Sequence, residues 1–397
     1  MNSPARMSAV ELRASGALAS IFALRLFGMF VILPVFALWA HGRAGWNVQL
    51  VGIAMGAYGL TQGLLQIPFG WLSDRVGRKT MLYAGLTIFA AGSFACAASE
   101  GPYGMIAGRI LQGAGAISGV AIATVADLTR ESQRSKAMAI IGSTIGGVFA
   151  LSFVIAPALE HAIGLHGIFA MTGVLVLVAV GVVRFAVPEP REPRSAPRGG
   201  AFAAVFRDKE LVRLYVGIFA LHAVLMAIFI VVPVALEEAG LPAAQHSWVY
   251  LGAVVAGFVL MLPAFVGRAA GRERPVFLLS VAVVACGVAL LALGLHNLAA
   301  IAAALVIFFA GFNVLEAKLP ALVSRAAPRE ATGAATGMYS SVQFLGTFFG
   351  AAAAGFIAQH VGSVAVLVTC LAVAVGWLAV AWKMGEFVPA ASPASRN

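Results

Sequence analysis

GWLSDRVGRK, residues 70–79, is a short polar segment between two long apolar runs. Its glycines permit a tight turn, and one carboxylate, Asp74, lies among the three cations Arg75, Arg78 and Lys79. Asp74 could accept a charge-assisted bond from Arg78, or face the N-terminus of a helix, where unpaired amides favour an anion. We therefore expect these charges to form a latch at the cytoplasmic mouth of the helices. The alternative is a solvated loop whose cations only set the membrane topology.

Apolar runs like those beside this loop recur along most of the chain. Of its 397 residues, 61% are hydrophobic and only 11% are charged, which is more apolar surface than a soluble domain could bury. A membrane-spanning helix needs roughly 20 apolar residues, so the sequence predicts an all-α membrane protein with lipid as its solvent. The twelve predicted spans lie near residues 17–40, 48–72, 79–98, 102–126, 135–158, 165–187, 211–236, 246–267, 275–295, 297–322, 332–358 and 362–384.

The basic residues indicate how these spans are oriented. Most of the 26 lysines and arginines fall in alternate loops, which places both termini in the cytoplasm by the positive-inside rule. This topology explains the formal net charge of +10 better than nucleic acid would, because the charges are spread over short loops. The first apolar run is too long for a cleaved signal peptide, and the three cysteines are isolated in apolar runs, so we expect neither disulfides nor a metal site.

A stretch rich in proline, glycine and arginine at 188–210 interrupts the spans and is interpreted as a linker. The segments on its two sides align at an offset near 200 residues, as in IFALR at 21–25 and IFALH at 218–222. Two pseudo-symmetric six-helix bundles with a site between them form an architecture suited to alternating access. The expected units are an N-terminal bundle at 1–187, a cytoplasmic linker at 188–210, a C-terminal bundle at 211–385 and a cytoplasmic tail at 386–397.

GWLSDRVGRK resembles the signature loop between the second and third helices of the major facilitator superfamily. The number of spans, the linker and the repeat extend this resemblance over nearly the whole chain. Three further segments resemble the bacterial drug/proton antiporter branch: the first-helix motif at 26–34, RILQG at 109–113 and, loosely, the glycine-rich stretch at 142–157, which lacks a Gly-Pro pair. The resemblance implies a twelve-helix transporter that moves a solute between the two sides of the membrane.

The same resemblance implies a role for the charged loop. Asp74, Arg75 and Arg78 would belong to a charge relay that closes the cytoplasmic mouth, with Asp127 as a partner at the end of the fourth span. The second half has only RAAGR at 268–272 at the equivalent place, with no acid corresponding to Asp74. A latch is therefore expected on the first half alone.

The ionisable residues expected deep inside the predicted spans are Arg25, Arg109, His222 and Glu316, with Lys318 close to the cytoplasmic end of its helix. Such groups cost roughly 2.5–3.5 kcal/mol at membrane depth, so each is a functional hypothesis. Glu316 is the predicted proton carrier, and His222 could share its proton. The resemblance makes Arg109 the positioner of the proton-bearing acid. The alternatives are an ion pair of Glu316 with Lys318, simple packing for His222 and snorkelling for Arg109.

Further residues are predicted to line a cavity between the halves, because the resemblance places helices one, four, seven and ten around it. The expected wall is mostly apolar and aromatic with a few polar groups, as promiscuous binders require. Helix–helix packing is the alternative for each, and Arg25 could instead snorkel or pair with Glu11. The predicted wall residues are Arg25, Met29, Phe30, Gln112, Met226, Phe229, Asn313, Tyr339, Gln343 and Phe344. Gly146, Gly147, Gly346 and Gly350 are interpreted as close-packing sites.

Together these patterns predict proton-coupled efflux of small amphipathic compounds. Proton-linked or facilitated uptake of a defined solute, such as a sugar or an organic acid, is the alternative, and a non-transporting membrane sensor is a second one. No nucleotide-binding or nucleophile motif is present, so we expect no enzyme activity and no cofactor. The expected partners are the lipid bilayer, a small-molecule substrate and protons, with no nucleic acid, in a monomer of the bacterial inner membrane.

Overall fold

The structure is a computed structural model that describes residues 7–189, 205–265, 272–328 and 331–385. These residues form α-helices and two short 3₁₀ turns, without a strand. The helices are α1 (Ala9–Phe30), α2 (Leu33–Ala40), α3 (Val48–Val76), α4 (Arg78–Ala97), α5 (Pro102–Ala114), α6 (Ser118–Leu128), α7 (Glu131–Phe185), α8 (Lys209–Glu238), α9 (His246–Met261), α10 (Glu273–Gly294), α11 (Leu298–Ala326), α12 (Thr332–His360) and α13 (Ser363–Ala381).

In the described part of the chain, 11 helical stretches are long and apolar enough to cross a membrane. One of them, α7, has 55 residues, and at 1.5 Å per residue it is roughly 80 Å long, more than twice the thickness of a bilayer core. It is interrupted at Gly164, whose φ of 66° and ψ of 172° are not helical, so it supplies two crossings. The prediction of twelve spans is therefore confirmed.

Two predicted spans are each built from two helices. Pro34 begins the second helix of the first span, because its missing N–H fits a first helical turn but not a helix interior. The fourth span is interrupted between α5 and α6 at Gly115. Residues 190–204 of the predicted linker, the predicted tail at 386–397 and most of the RAAGR segment lie outside the described residues.

The helices pack as two groups, α1–α7 and α8–α13. Between the groups α3 packs on α12, and α7 packs on α9. These two contacts are equivalent when the halves are exchanged, as a pseudo-two-fold arrangement requires. An even number of crossings brings the start of α1 and the end of α13 to the same membrane face, which we call the terminal face, and the other is the opposite face.

Glycines of α3 set how closely the halves approach. A Cβ on Gly52 would lie 2.3 Å from the Ala351 carbonyl oxygen, and one on Gly63 would lie 2.9 Å from the Ser341 carbonyl oxygen, so the backbones touch. Nearer the terminal face, Gly70 of α3 has no neighbour within 4 Å of such a Cβ. The close contact therefore runs from the opposite face to mid-helix and then ends.

Glycines predicted to be packing sites behave differently in the two halves. In α12, a Cβ on Gly346 or Gly350 would lie 2.5 Å or 2.3 Å from the carbonyl oxygens of Phe219 and Ala223 in α8. In α7, residues 146–147 have nothing within 4 Å of a built Cβ. Close packing is thus present in α12 and absent at the matching place in α7.

Candidate functional site

Three helices of the second half bring His222 of α8, Glu316 of α11 and Gln343 of α12 together. The Gln343 amide nitrogen lies 2.8 Å from His222 Nε2 and 3.3 Å from Glu316 Oε1. His222 Nε2 is 3.8 Å from Glu316 Oε2. The Glu316 side chain is 38% exposed and that of His222 is 13% exposed, so part of the glutamate side chain can be reached from outside the packed helices. We call these three residues the proton cluster.

The hydrogen bonds of this cluster indicate which groups can take a proton. His222 Nδ1 lies 3.3 Å from the Ile218 carbonyl oxygen, which can only accept, so Nδ1 carries the hydrogen. The amide nitrogen of Gln343 can only donate, so His222 Nε2 accepts from it and the ring is neutral in this arrangement. Glu316 Oε2 is buried and has no hydrogen-bond partner. A proton on Oε2 or on Nε2 would rearrange these bonds, which suits a group that cycles between two states.

Two unpaired donors lie one helical turn from the cluster. Asn313 precedes Glu316 by three residues in α11, and Tyr339 precedes Gln343 by four residues in α12. Both side chains are 7% exposed, and neither the Asn313 amide nitrogen nor the Tyr339 hydroxyl has a hydrogen-bond partner. Buried polar groups without partners are costly, so these two are candidates to contact a ligand.

Lys318, the alternative partner for Glu316, is paired elsewhere. Its Nζ lies 2.6 Å from Glu273 Oε2, and Glu273 Oε1 lies 3.0 Å from Arg325 Nη2. Glu273 is the first residue of α10, and the sequence analysis overlooked it. Among the described residues, Glu316 therefore forms no ion pair with a lysine or an arginine.

Arg109 does not join the proton cluster as predicted. Its guanidinium donates to Gln112 Oε1 at 2.7 Å and to the carbonyl oxygens of Ala54 and Met55 at 3.3 and 3.4 Å. All of these partners belong to the first half, because α5 packs on α3. The residue is 3% exposed, which also contradicts snorkelling. Gln112 in turn donates to Ser93 at 2.7 Å, so its contacts are internal to the first half rather than to a cavity.

Arg25 is likewise buried within the first half, at 1% exposure. It donates to the Tyr58 hydroxyl at 2.8 Å, Gln62 Oε1 at 2.6 Å, Ser118 Oγ at 2.9 Å and the Gly115 carbonyl oxygen at 3.2 Å. All four acceptors are neutral, and Arg25 makes no ion pair with a described residue. The predicted role in a substrate cavity, and the alternative of snorkelling, are both inconsistent with this burial.

Glu11, the other suggested partner of Arg25, binds Arg130 instead. Glu11 Oε2 is 2.9 Å from Arg130 Nη2, and Glu11 Oε1 accepts from both Nε and the backbone N–H at 2.9 Å. The carboxylate raises the pKa of Arg130, which lies in the loop before α7. This contact fastens the start of α1 to that loop.

The network around Arg25 contains residues that the sequence analysis missed. Tyr58, Gln62 and Gln66 are four residues apart on one face of α3, and each is at most 2% exposed. Gln62 donates to Gln66 Oε1 at 2.9 Å, which extends the chain of hydrogen bonds. Polar residues at this spacing in an apolar span were the available signal.

The apolar wall residues mainly pack helices together. The ring of Phe229 is 5.1 Å from Phe153, and the ring of Phe344 is 6.0 Å from Tyr58, so both join the two halves. Phe30 packs edge-on against Phe149 at 5.0 Å within the first half. Met226 is 3% exposed and Met29 is half-buried against the first-half core. These contacts agree with the alternative that the apolar wall residues pack helices together.

At the terminal face the predicted latch has three members. Arg78 Nη1 is 2.5 Å from Asp74 Oδ1, and Arg78 Nε is 2.9 Å from Asp127 Oδ2. Arg75 takes no part, because its guanidinium lies over the ring of Trp71 at 3.7 Å. Arg78 of α4 thus connects α3 with α6 through two ion pairs.

A cleft of about 560 Å³ opens at the opposite face. Residues of both halves line it, including Trp39, Glu160, His161 and Glu237. None of the proton cluster lines this cleft.

Comparison with known proteins assigns this architecture. The family model described as Major Facilitator Superfamily matches residues 18–351. The chain belongs to the major facilitator superfamily. It is 38% identical over 386 residues to the inner membrane transport protein YajR of Escherichia coli K12, covering 96% of this chain and 85% of that protein. The chain is accordingly an integral membrane transporter and not an enzyme.

More distant matches agree with this assignment. The multidrug resistance protein MdtH of Aeromonas hydrophila is 23% identical over 324 residues, which cover 79% of each chain. Among solved structures, a bacterial homolog of the human lysosomal transporter Spinster superposes with a TM-score of 0.75 at 13% identity, covering 96% of this chain and 100% of the other. The human organic anion transporter MFSD10 gives a TM-score of 0.72 at 17% identity over 94% of this chain and 100% of its own. These likenesses confirm the major facilitator fold.

Proposed function

We propose that this transporter exports small amphipathic compounds in exchange for protons, with Glu316 as the proton carrier. The observation that supports the proposal is the proton cluster: a partly exposed glutamate side chain that pairs with no lysine or arginine of the described residues and that Gln343 holds beside a neutral His222. The terminal face would be cytoplasmic, in a bacterial inner membrane. This orientation follows from the basic residues in alternate loops.

The cluster suggests how proton and solute movements are coupled. An ionised carboxylate is costly to enclose in an apolar interface unless it is protonated or paired. A bound compound with a cationic or hydrogen-bond-donating group would satisfy Glu316, and a proton would satisfy it equally well. The two therefore compete for one site, and either allows the halves to close over it, which is the requirement for exchange.

The geometry of the halves supports alternating access. They touch from the opposite face to mid-helix through Gly52 and Gly63 of α3, and this contact ends before the terminal face. We propose that residues 1–187 and 211–385 rock as two bodies joined by a linker at 188–210. Rocking would exchange the closed face for the open one while Glu316 stays near the centre.

The expected substrates follow from the surroundings of the cluster. Phe312 and the unpaired groups of Asn313 and Tyr339 offer apolar surface with a few hydrogen-bond donors. Such a mixture suits amphipathic compounds better than sugars, which need many polar contacts. The name of the MdtH relative points in the same direction.

A flux assay in proteoliposomes with an imposed pH gradient tests this function. A panel of fluorescent lipophilic cations is the probe, and a pH-sensitive dye inside the vesicles records proton movement. We expect compound and protons to move in opposite directions, and Glu316→Gln to abolish the coupling while the protein remains folded in the membrane. Glu238→Gln, which removes an exposed carboxylate at the end of α8, is the matched control and should transport normally.

Two outcomes of this flux assay would contradict the proposal. Movement of compound and protons in the same direction would show uptake instead of export. Unchanged coupling in Glu316→Gln would remove Glu316 from the mechanism.

A further inference from the structure

The cleft at the opposite face is large enough to hold a small molecule. Its volume of about 560 Å³ falls within the range of small-molecule sites, roughly 300–1,000 Å³. The first half lines it with α2, the residues that follow α2, and α7, and the second half lines it with the end of α8 and the start of α9. A molecule in this cleft would therefore touch both halves.

The lining of the cleft carries more negative than positive charge. Histidine side chains gain a charge only as the pH falls below about 8, so in a neutral or weakly alkaline solution the carboxylates and the guanidinium dominate. These are two carboxylates against one guanidinium. The charged and titratable residues of the lining are His41, Arg43, Glu160, His161, Glu237 and His246.

The guanidinium is held by Trp39 and not by either acid. Arg43 Nε donates to the Trp39 carbonyl oxygen at 2.7 Å, and the guanidinium carbon lies 4.4 Å from the centre of the Trp39 ring. Within the described part of the chain, neither Glu160 nor Glu237 forms an ion pair. One carboxylate from each half is thus left for a cation that comes from outside the protein.

Both carboxylates also lie near the C-terminal end of a helical segment. Glu237 is the last residue but one of α8, whose last turn contains no basic residue. Glu160 precedes Gly164 by four residues, and the helical backbone of α7 is interrupted at Gly164. The helix dipole places a partial negative charge at such ends, which disfavours a carboxylate and favours a cation. A bound cation would offset this repulsion in both halves.

The remaining wall indicates what kind of cation fits. Apolar side chains form much of it, among them Pro34, Val35, Leu38, Trp39 and Pro157. A metal ion needs several ligands around it, and no group of three or more histidine, cysteine or acidic side chains is placed to hold one in the described ranges. Carboxylates beside apolar surface suit an organic cation with apolar substituents.

We propose that the opposite-face cleft is a second binding site, for lipophilic organic cations, in which Glu160 and Glu237 neutralise the charge of the ligand. The proposal rests on the proposed function, because the ligand would be the exported compound at the mouth through which it leaves. None of the proton cluster lines the cleft, so the two sites use different carboxylates.

Equilibrium binding of radiolabelled tetraphenylphosphonium to the purified full-length protein, at about pH 8 to keep the histidines largely neutral, tests the site. Glu316→Gln is the starting protein, so that the proton cluster carries no negative charge. Adding Glu160→Gln and Glu237→Gln should weaken the remaining binding on the order of tenfold, because a charge-assisted contact is lost in each half. Glu238→Gln, next to Glu237 but outside the lining, is the matched control and should bind as the starting protein does.

Photocrosslinking locates the ligand without any charge variant. A photoreactive phosphonium derivative should label peptides that contain residues 34–43, 157–161 or 237–246 of the unaltered protein, and excess tetraphenylphosphonium should prevent the labelling. Triphenylphosphine oxide, a neutral compound of similar shape, should compete poorly. Equal competition by the neutral compound, label confined to α11 and α12, or unchanged binding after loss of both carboxylates would overturn the proposal.

These measurements need no proton gradient, so they can fail independently of the flux assay. Coupled export by a protein whose cleft takes no label would overturn the second site and leave the proposed function standing. Labelling of the cleft in a protein that moves no compound would support the site and contradict export.

Discussion

The two halves of this transporter bury charge in opposite ways. The first half encloses two arginines, Arg25 and Arg109, among neutral acceptors and pairs neither with a carboxylate of the described residues. The second half holds the carboxylate of Glu316 next to a neutral histidine and an amide.

The difference separates a fixed part from a switching part. Arginine remains charged at every physiological pH, so the first-half network cannot change its protonation state and acts as a rigid scaffold. Glutamate and histidine can exchange protons, so the proton cluster of the second half can respond to a pH gradient. The comparison predicts that changes in the buried arginine network of the first half will alter stability, whereas changes in the proton cluster of the second will alter coupling.

The largest effect should come from Arg25→Leu. Removing the guanidinium leaves the buried groups of Tyr58, Gln62 and Ser118 short of partners, and we expect a loss of about 3 kcal/mol of unfolding free energy. Thermal or denaturant unfolding in detergent measures it, with Arg43→Leu, an exposed arginine on the ring of Trp39, as the control. An altered pH profile of transport in the surviving protein would contradict the division between the halves.

Gln343→Leu should have the next largest effect, and on function more than on stability. It removes both hydrogen bonds that connect His222 with Glu316, and a loss of about 1.4 kcal/mol corresponds to a tenfold drop in coupled flux. The pH profile of transport should shift as well. Gln359→Leu on the same helix is the control, since Gln359 accepts from the Val48 N–H at the opposite face, and its pH profile should be unchanged.

Asp74→Asn tests the latch, and its effect should be smaller than that of Gln343→Leu. Arg78 keeps its second carboxylate, Asp127, so we expect turnover to fall only several-fold, by about 1 kcal/mol, with substrate binding retained. Stopped-flow flux and equilibrium binding of the same dye separate the two quantities. Glu131→Gln, an exposed carboxylate at the start of α7, serves as the control. Normal turnover in Asp74→Asn would show that the latch does not limit the cycle.

The smallest effect is expected at the Lys79–Glu189 pair. Glu189 is 77% exposed, and exposed ion pairs contribute at most about 0.5 kcal/mol once side-chain entropy and salt screening are included. Glu189→Gln should therefore leave melting temperature and flux unchanged within error. A measurable loss would mean that the segment after α7 is held more firmly than this contact implies.

The fold was largely predictable because lipid imposes a strict rule. Every crossing must be an apolar helix of about 20 residues, so the spans and their order follow from the sequence. The internal breaks were harder to predict. Pro34 and Gly115 are ordinary residues of transmembrane helices, and whether they break a helix depends on the neighbours that satisfy the freed backbone groups.

The site was predictable in part. Glu316 and His222 were predicted to share a proton, and Gln343 was identified separately as a wall residue, because polar residues inside apolar spans are expensive. The partners of Arg109 depend on the rotation of α5 against α3, which the sequence alone does not specify. Glu273 was missed for another reason: an acid at a helix N-terminus is common for its favourable interaction with the helix dipole, and it needs no partner to explain it.

The most direct test of the account is an infrared titration of the carboxyl groups in the membrane-embedded protein. Protonated carboxyl groups have a C=O stretch that ionised ones lack, so difference spectra over a range of pH show which acid gains a proton. We predict a pH-dependent band that disappears in Glu316→Gln and persists in Arg25→Lys. A band that survives in Glu316→Gln would place the transported proton on another residue and contradict the assignment of coupling to the second half.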